Sequence, residues 1–190
     1  MLKEIKTITH HYFIDENGHI QGERKVYHDN GILWEHAFFQ NGNLHGDYKE
    51  YYDNGQIYIR SFYINGIRHG EYKEYFRNGQ IYIRSFYQNG KRHGEFKDYH
   101  KNGQLYVHAF YQNGNLHGEY KEYHDNGKLY EHSSYQNGNH HGEYKLYHDN
   151  EQLFEHTFYY QDIDLEVNPD TLTEKDKVYI MMSGRLPPRD

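Results

Sequence analysis

Apolar positions along the chain follow neither the 3.6-residue spacing of an amphipathic helix nor a long unbroken run. They come as short aromatic stretches, such as QIYIRSFY at 56–63 and GEYKEYH at 118–124, separated by Asp-Asn-Gly or Gln-Asn-Gly. Asn-Gly between two such stretches is a strong hairpin signal, because both residues accept the positive φ of a tight turn. The pattern therefore predicts strand after strand joined by tight turns, each antiparallel to the one before it.

The turns are strictly periodic. Gly22, Gly46, Gly70, Gly94, Gly118 and Gly142 each open a block of 24 residues, and Gly31 to Gly127 and Gly18 to Gly138 form two more columns at the same spacing. Seventeen of the eighteen glycines lie on this lattice, and Gly184 alone falls outside it. Each block holds two strands, and six blocks with flanking half-strands give about thirteen strands at two per block. The expected fold is all-β: an elongated, single-layer antiparallel meander of repeated β-hairpins with a short C-terminal capping helix. Residues 1–21 form an N-terminal strand and half-repeat cap, 22–165 the six repeats, and 166–190 the capping helix and tail.

Register decides which side chains share a face. If Asp-Asn-Gly is a three-residue loop with a Gly bulge, Tyr51 faces Ile57, and if Asn-Gly is a two-residue turn, Tyr51 faces Tyr58. The first is preferred, with Tyr48, Tyr52, Tyr58 and Phe62 expected on one face and Tyr72, Phe76, Tyr82 and Phe86 repeating them in the next block.

The pattern HGxYxxYxxNGxxYxxxFYxNGxxHG, over residues 18 to about 160, resembles the MORN repeat family, specifically the variant repeat of bacterial antitoxin-like proteins and large DNA viruses. Many MORN repeats carry a Gly two residues after the lead Gly, where this chain has Tyr48, Tyr72, Phe96, Tyr120 and Tyr144. The resemblance implies scaffolding, lipid binding or toxin neutralisation.

The lattice decays at both ends. Arg24 replaces the aromatic in the first block, Glu151 the turn Gly of the last, and Asp162 the Gly after that. Beyond it, Asn168 to Gly184 reads as a capping helix with Asp170 or Thr171 as N-cap, Gly184 as its end, and Leu172, Val178, Met181 and Met182 as buried side chains. The Arg185 to Asp190 stretch reads as a loose tail.

Composition narrows the function. Apolar residues are only 35% of the chain, yet there are 23 Tyr and 10 Phe, so aromatics must supply the buried surface. The net charge of −7 disfavours nucleic acid, and the charged N-terminus MLKEIKTITHHYFI lacks a signal sequence's apolar stretch, so the cytoplasm is the expected compartment. With no Cys there is no thiolate chemistry. The 17 His fall mainly into columns whose members lie two strands, roughly 10 Å, apart, too far for neighbours in a column to share a zinc ion, so a structural role is expected. Glu35-His36, Glu131-His132 and Glu155-His156 are sequence neighbours that point to opposite faces and cannot act as dyads. No cofactor, metal or small-molecule substrate is expected, and no enzyme.

One compositional shift interrupts the array. Arg60, Arg68, Arg84, Lys91 and Arg92 stand in its middle blocks, where outer blocks carry His, Leu or Asn. The expected function is a non-enzymatic interaction or scaffold repeat that binds a protein partner through an extended aromatic and polar face, with Tyr58, Arg60, Phe62, Tyr82, Arg84 and Phe86 as candidate binding residues. The alternatives are an antitoxin-like neutraliser or a peripheral binder of anionic lipid.

Overall fold

Two kinds of turn alternate along the chain, each made by the residues that suit it. At Gln40–Asn43 the central Asn41 and Gly42 take φ of 52° and 77°, a two-residue turn with both residues left-handed, as the right-handed twist of a hairpin favours. At Tyr52–Gln56 the Gly55 N–H bonds the Tyr52 carbonyl at 2.9 Å and the Tyr52 N–H bonds the Gln56 carbonyl at 2.8 Å. There only Gly55 is left-handed, with φ 82°, which makes Asp-Asn-Gly a three-residue loop. The same pair of turns recurs in the later blocks.

A computed structural model describes residues 1–188. Arg189 and Asp190, the end of the expected tail, lie outside the described residues. The fold is an all-β antiparallel meander of β-hairpins with one short C-terminal helix. The chain divides into two compact units, residues 1–94 and the part from Glu95 onward. The first holds β1 (Lys3–Lys6), β2 (His10–Ile14), β3 (Ile20–Tyr27), β4 (Leu33–Gln40), β5 (Asn43–Tyr51), β6 (Ile57–Ile64), β7 (Ile67–Arg68), β8 (Gly70–Tyr75) and β9 (Ile81–Gln88). β10 (Lys91–Tyr99) runs across the division, and the second unit holds β11 (Leu105–Gln112), β12 (Asn115–Tyr123), β13 (Leu129–Gln136), β14 (Asn139–Tyr147), β15 (Leu153–Tyr160) and β16 (Ile163–Asp164). Sixteen strands among the described residues exceed the thirteen expected, because a hairpin precedes the array, β16 follows it, and one strand is broken at His69 into β7 and β8.

The loop register is the preferred one, with Tyr51 opposite Ile57. The face assignment drawn from it needs correction. Glu50 pairs with Ile59, so Tyr58 is an extra residue in a β-bulge, and the register beyond it shifts by one. Tyr48 therefore meets Ser61, while Phe62 falls opposite Asp47 on the other side of the sheet. The same shift at Glu74/Tyr75 turns Phe86 away from Tyr72.

This bulge builds a close-packed face. Tyr48 lies between Ala37 on β4 and Ser61 on β6, and Tyr72 stands opposite Ser85, so large rings cover small residues that are almost wholly buried. The rings also touch edge-on one hairpin along, as in Tyr48 with Tyr63 at 5.5 Å and Tyr120 with Tyr135 at 5.7 Å.

After β16, a single 3₁₀ turn (Pro169–Thr171) leads into α1 (Glu174–Ser183). Thr173, not Asp170 or Thr171, caps the α-helix, in a reciprocal capping box with Asp176, and Gly184 ends it at φ 68°. Its buried residue is Ile180, whereas Val178, Met181 and Met182 are exposed and Leu172 is half-buried, contrary to expectation. No described helix is long and apolar enough to cross a membrane.

Candidate binding face

The two sides of the meander differ in chemistry. The tyrosine side is self-satisfied: Tyr72 and Tyr120 donate to Glu74 and Glu122 at 2.9 Å, and Tyr48 donates to Glu50. Burial, reinforced by these carboxylates, pushes the Tyr48, Tyr72 and Tyr120 hydroxyls above the ordinary tyrosine range. Arg68 is absorbed here too, with its guanidinium 4.7 Å from the Tyr72 ring centre and 5.0 Å from that of Tyr87, and Nη2 donating to the Tyr63 hydroxyl at 2.9 Å.

The opposite side carries three parallel rows: acids on one strand, basic side chains beside them, and phenylalanines. Each acid bridges a lysine and the arginine or histidine across from it. Glu23 holds Lys25 and His36 at 2.9 and 2.7 Å, Glu71 holds Lys73 and Arg84 at 2.8 and 2.9 Å, and Glu119 holds Lys121 and His132 at 2.7 and 2.9 Å. The Lys73 bond and then the Arg84 bond keep the Glu71 carboxyl below its usual range against the pull of burial.

The second block breaks the rule. Where the others have Glu, it has Asp47, one methylene shorter, and among the described residues neither Lys49 nor Arg60 has an ion-pair partner. Arg60 lies directly opposite Lys49 on one flank and Lys73 on the other. Like charges facing each other across strands are unfavourable, and here they concentrate positive charge. A shallow cleft of about 120 Å³ opens there, lined by Asp47, Arg60, Ser61, Phe62, Glu71 and Lys73.

The six candidate residues do not form one surface. Arg60 and Phe62 share the charged face, as do Arg84 and Phe86, and the Arg84 guanidinium lies 5.4 Å from the Phe86 ring centre. Tyr58 packs on Tyr52 at 4.9 Å and Tyr82 on Phe76 at 4.8 Å, with Glu74 of the tyrosine side helping to raise the Tyr58 hydroxyl pKa beyond what burial does. Of the basic cluster, Arg68 and Arg92 turn to tyrosine hydroxyls and leave Arg60 and Arg84 on the charged face. Sequence reasoning missed Lys49 and Asp47. The signal was a lone Asp in the column Glu23, Asp47, Glu71, Glu95, Glu119, Glu143.

Histidines pair with acids or tie neighbouring blocks together. His28 and His100 bond the carbonyls of Tyr51 and Tyr123 at 3.0 and 3.1 Å, and Tyr52, at the same place in its block, donates to the Tyr75 carbonyl at 2.7 Å. Among the described residues no three His, Asp or Glu are grouped as metal ligands.

The MORN repeat variant model matches six segments, 20–41, 44–65, 68–91, 92–113, 116–137 and 141–162. The chain belongs to the MORN repeat family. No curated protein matches it. MORN repeats are typically interaction repeats for proteins or lipids and generally non-enzymatic. In this MORN array the recurring residues account for the sheet itself, and the second block's departure marks a place where the surface is left unsatisfied.

Proposed function

We propose that the protein is a non-enzymatic interaction module that captures an acidic protein partner on its charged face around Lys49, Arg60, Phe62, Arg84 and Phe86. The observation that carries this reading is the adjacency of Lys49 and Arg60, two cations with no ion-pair partner among the described residues, beside a Phe62 that is 39% exposed. Arg suits a carboxylate because its donors form a fixed fork, and a neighbouring phenyl ring lowers the local dielectric around the pair. The tyrosine side, with its hydroxyls committed to Glu50, Glu74 and Glu122, serves as the structural side.

The test is partner capture from the native cell with wild-type chain and with Arg60→Glu/Arg84→Glu. Loss of the captured protein, at an unchanged melting temperature, is the expected result. Retention of the same partner by the double variant refutes the reading, and binding to anionic vesicles at pH 8 in place of any protein redirects it to a lipid surface.

A further inference from the structure

The C-terminal helix shows how this face is occupied. α1 lies over the last repeat on the charged side, where Lys177 bonds Glu143, which also holds Lys145, and Asp170 of the preceding turn meets His156 Nδ1 at 3.1 Å. Between them Phe158 is 1% exposed, whereas Phe38 and Phe62, at the same position in earlier blocks, are 37% and 39% exposed. The C-terminal segment thus sets a cation on the acid row and a carboxylate beside the histidine, and the Phe of this repeat is buried.

The 24-residue lattice maps that seat onto the second block. Glu143, Lys145, His156 and Phe158 correspond to Asp47, Lys49, Arg60 and Phe62, four blocks earlier. The charge balance has changed. At the last repeat the acid is bonded by two lysines, so the occupant brings a cation, whereas at the second block the acid is short and the two cations have no ion-pair partner among the described residues. A pocket of about 470 Å³ remains beside α1 over Ser134, and the matching position near the second block is Phe38, which offers an incoming segment more apolar contact.

We infer that the seat formed by Asp47, Lys49, Arg60 and Phe62, flanked by Phe38, receives a short acidic helix of a protein partner, laid as α1 is laid on the last repeat, with carboxylates at Lys49 and Arg60 and an aliphatic side chain on Phe62. This deepens the proposed function and rests on it. The occupant carries acid where α1 carries Lys177, and repeat equivalence gives its placement.

The probe is a labelled peptide of residues 168–185 with Lys177→Glu, side-chain cross-linked so that the helix is preformed, titrated into the full chain by fluorescence anisotropy. The expected result is saturable binding that weakens with salt, falls by about tenfold or more in Lys49→Glu/Arg60→Glu, and falls less in Phe62→Ala. The cross-linked peptide with Lys177 retained should bind wild type more weakly and regain affinity for the Glu double variant. Absence of binding to wild type, or equal binding to the double variant, overturns the inference. If the peptide fails while that double variant still loses the cellular partner, the face stands and the helical occupant falls. If the double variant keeps its partner, the face falls as well.

Discussion

Glu131 lies directly across β12–β13 from Glu122, two carboxylates facing each other on the tyrosine side. The equivalent acid in the first unit, Glu35, has Arg24 at 3.0 Å, where a tyrosine stands in most blocks. Glu131 has a hydroxyl from Ser133 at 2.6 Å in place of a cation. Burial raises its pKa, and the Glu122 charge adds to the rise.

A raised carboxyl pKa means that the fold binds protons more tightly than the unfolded chain, so stability is lost as pH climbs from the usual carboxylate range through the raised value. Glu131→Gln should therefore stabilise the protein at pH 7 to 8 by about 0.2–1 kcal/mol and flatten that part of the pH profile. Urea melts of both proteins between pH 4 and 8 check this, and a steeper profile in the variant speaks against it.

Glu143 behaves oppositely. Burial raises its pKa, but the bonds from Lys145 and Lys177 outweigh burial and bring it down to about 2. Its contribution is present above pH 4.5 and is lost as pH falls toward 2. The helix α1 should consequently loosen in acid before the hairpins do, and Glu143→Gln should loosen it at pH 7 by roughly 1 kcal/mol. Hydrogen exchange at the amides of 177–183 is the measurement, with protection of β13 and β14 unchanged.

Turn chemistry supplies a matched pair. Glu151 adopts φ 67° where other blocks place Gly, and Gly55 adopts φ 82°. A side chain in the left-handed region costs about 1–2 kcal/mol, so Gly55→Ala should destabilise by about that amount. Glu151→Gly should stabilise by a smaller amount, roughly 0.5–1 kcal/mol, since Gly entropy offsets part of the relief and the exposed Lys128 pair is lost. Thermal melts of the two variants should move in opposite directions.

Arg68 stands where the preceding block has Leu44 and a later one Leu116, and lies among three tyrosine rings. Truncation to Ala should cost about 2 kcal/mol through lost packing and cation–π attraction, whereas Arg68→Leu should cost visibly less because the site is built on an aliphatic position. Equal losses for the two would mean that the charge, and not the packing, dominates.

Most of this architecture was legible in the chain. The glycine lattice, Asn41-Gly42 and Asp53-Asn54-Gly55 specify hairpins and their loop lengths through backbone φ alone, which is local and needs no partner. The aromatic and basic residue types marked the middle blocks, and the repeat itself named the family. The assignment of faces was not local. Aromatics fall on both sides of repeat strands such as β6, where Phe62 and Tyr63 are adjacent, so hydrophobic pattern alone leaves the register open, and the choice falls to packing between strands. The sheet takes the register in which Tyr48 covers Ala37 and Ser61, and the extra residue at Tyr58 that permits it turns Phe62 to the charged side. Helix α1 shows the same division: Thr173, Asp176 and Gly184 mark its ends locally, but Ile180 is its buried residue because of where the helix lands on β14. The unpaired Lys49 and Arg60 likewise emerge only in three dimensions, since a missing methylene matters only once the cross-strand distance it must span is set.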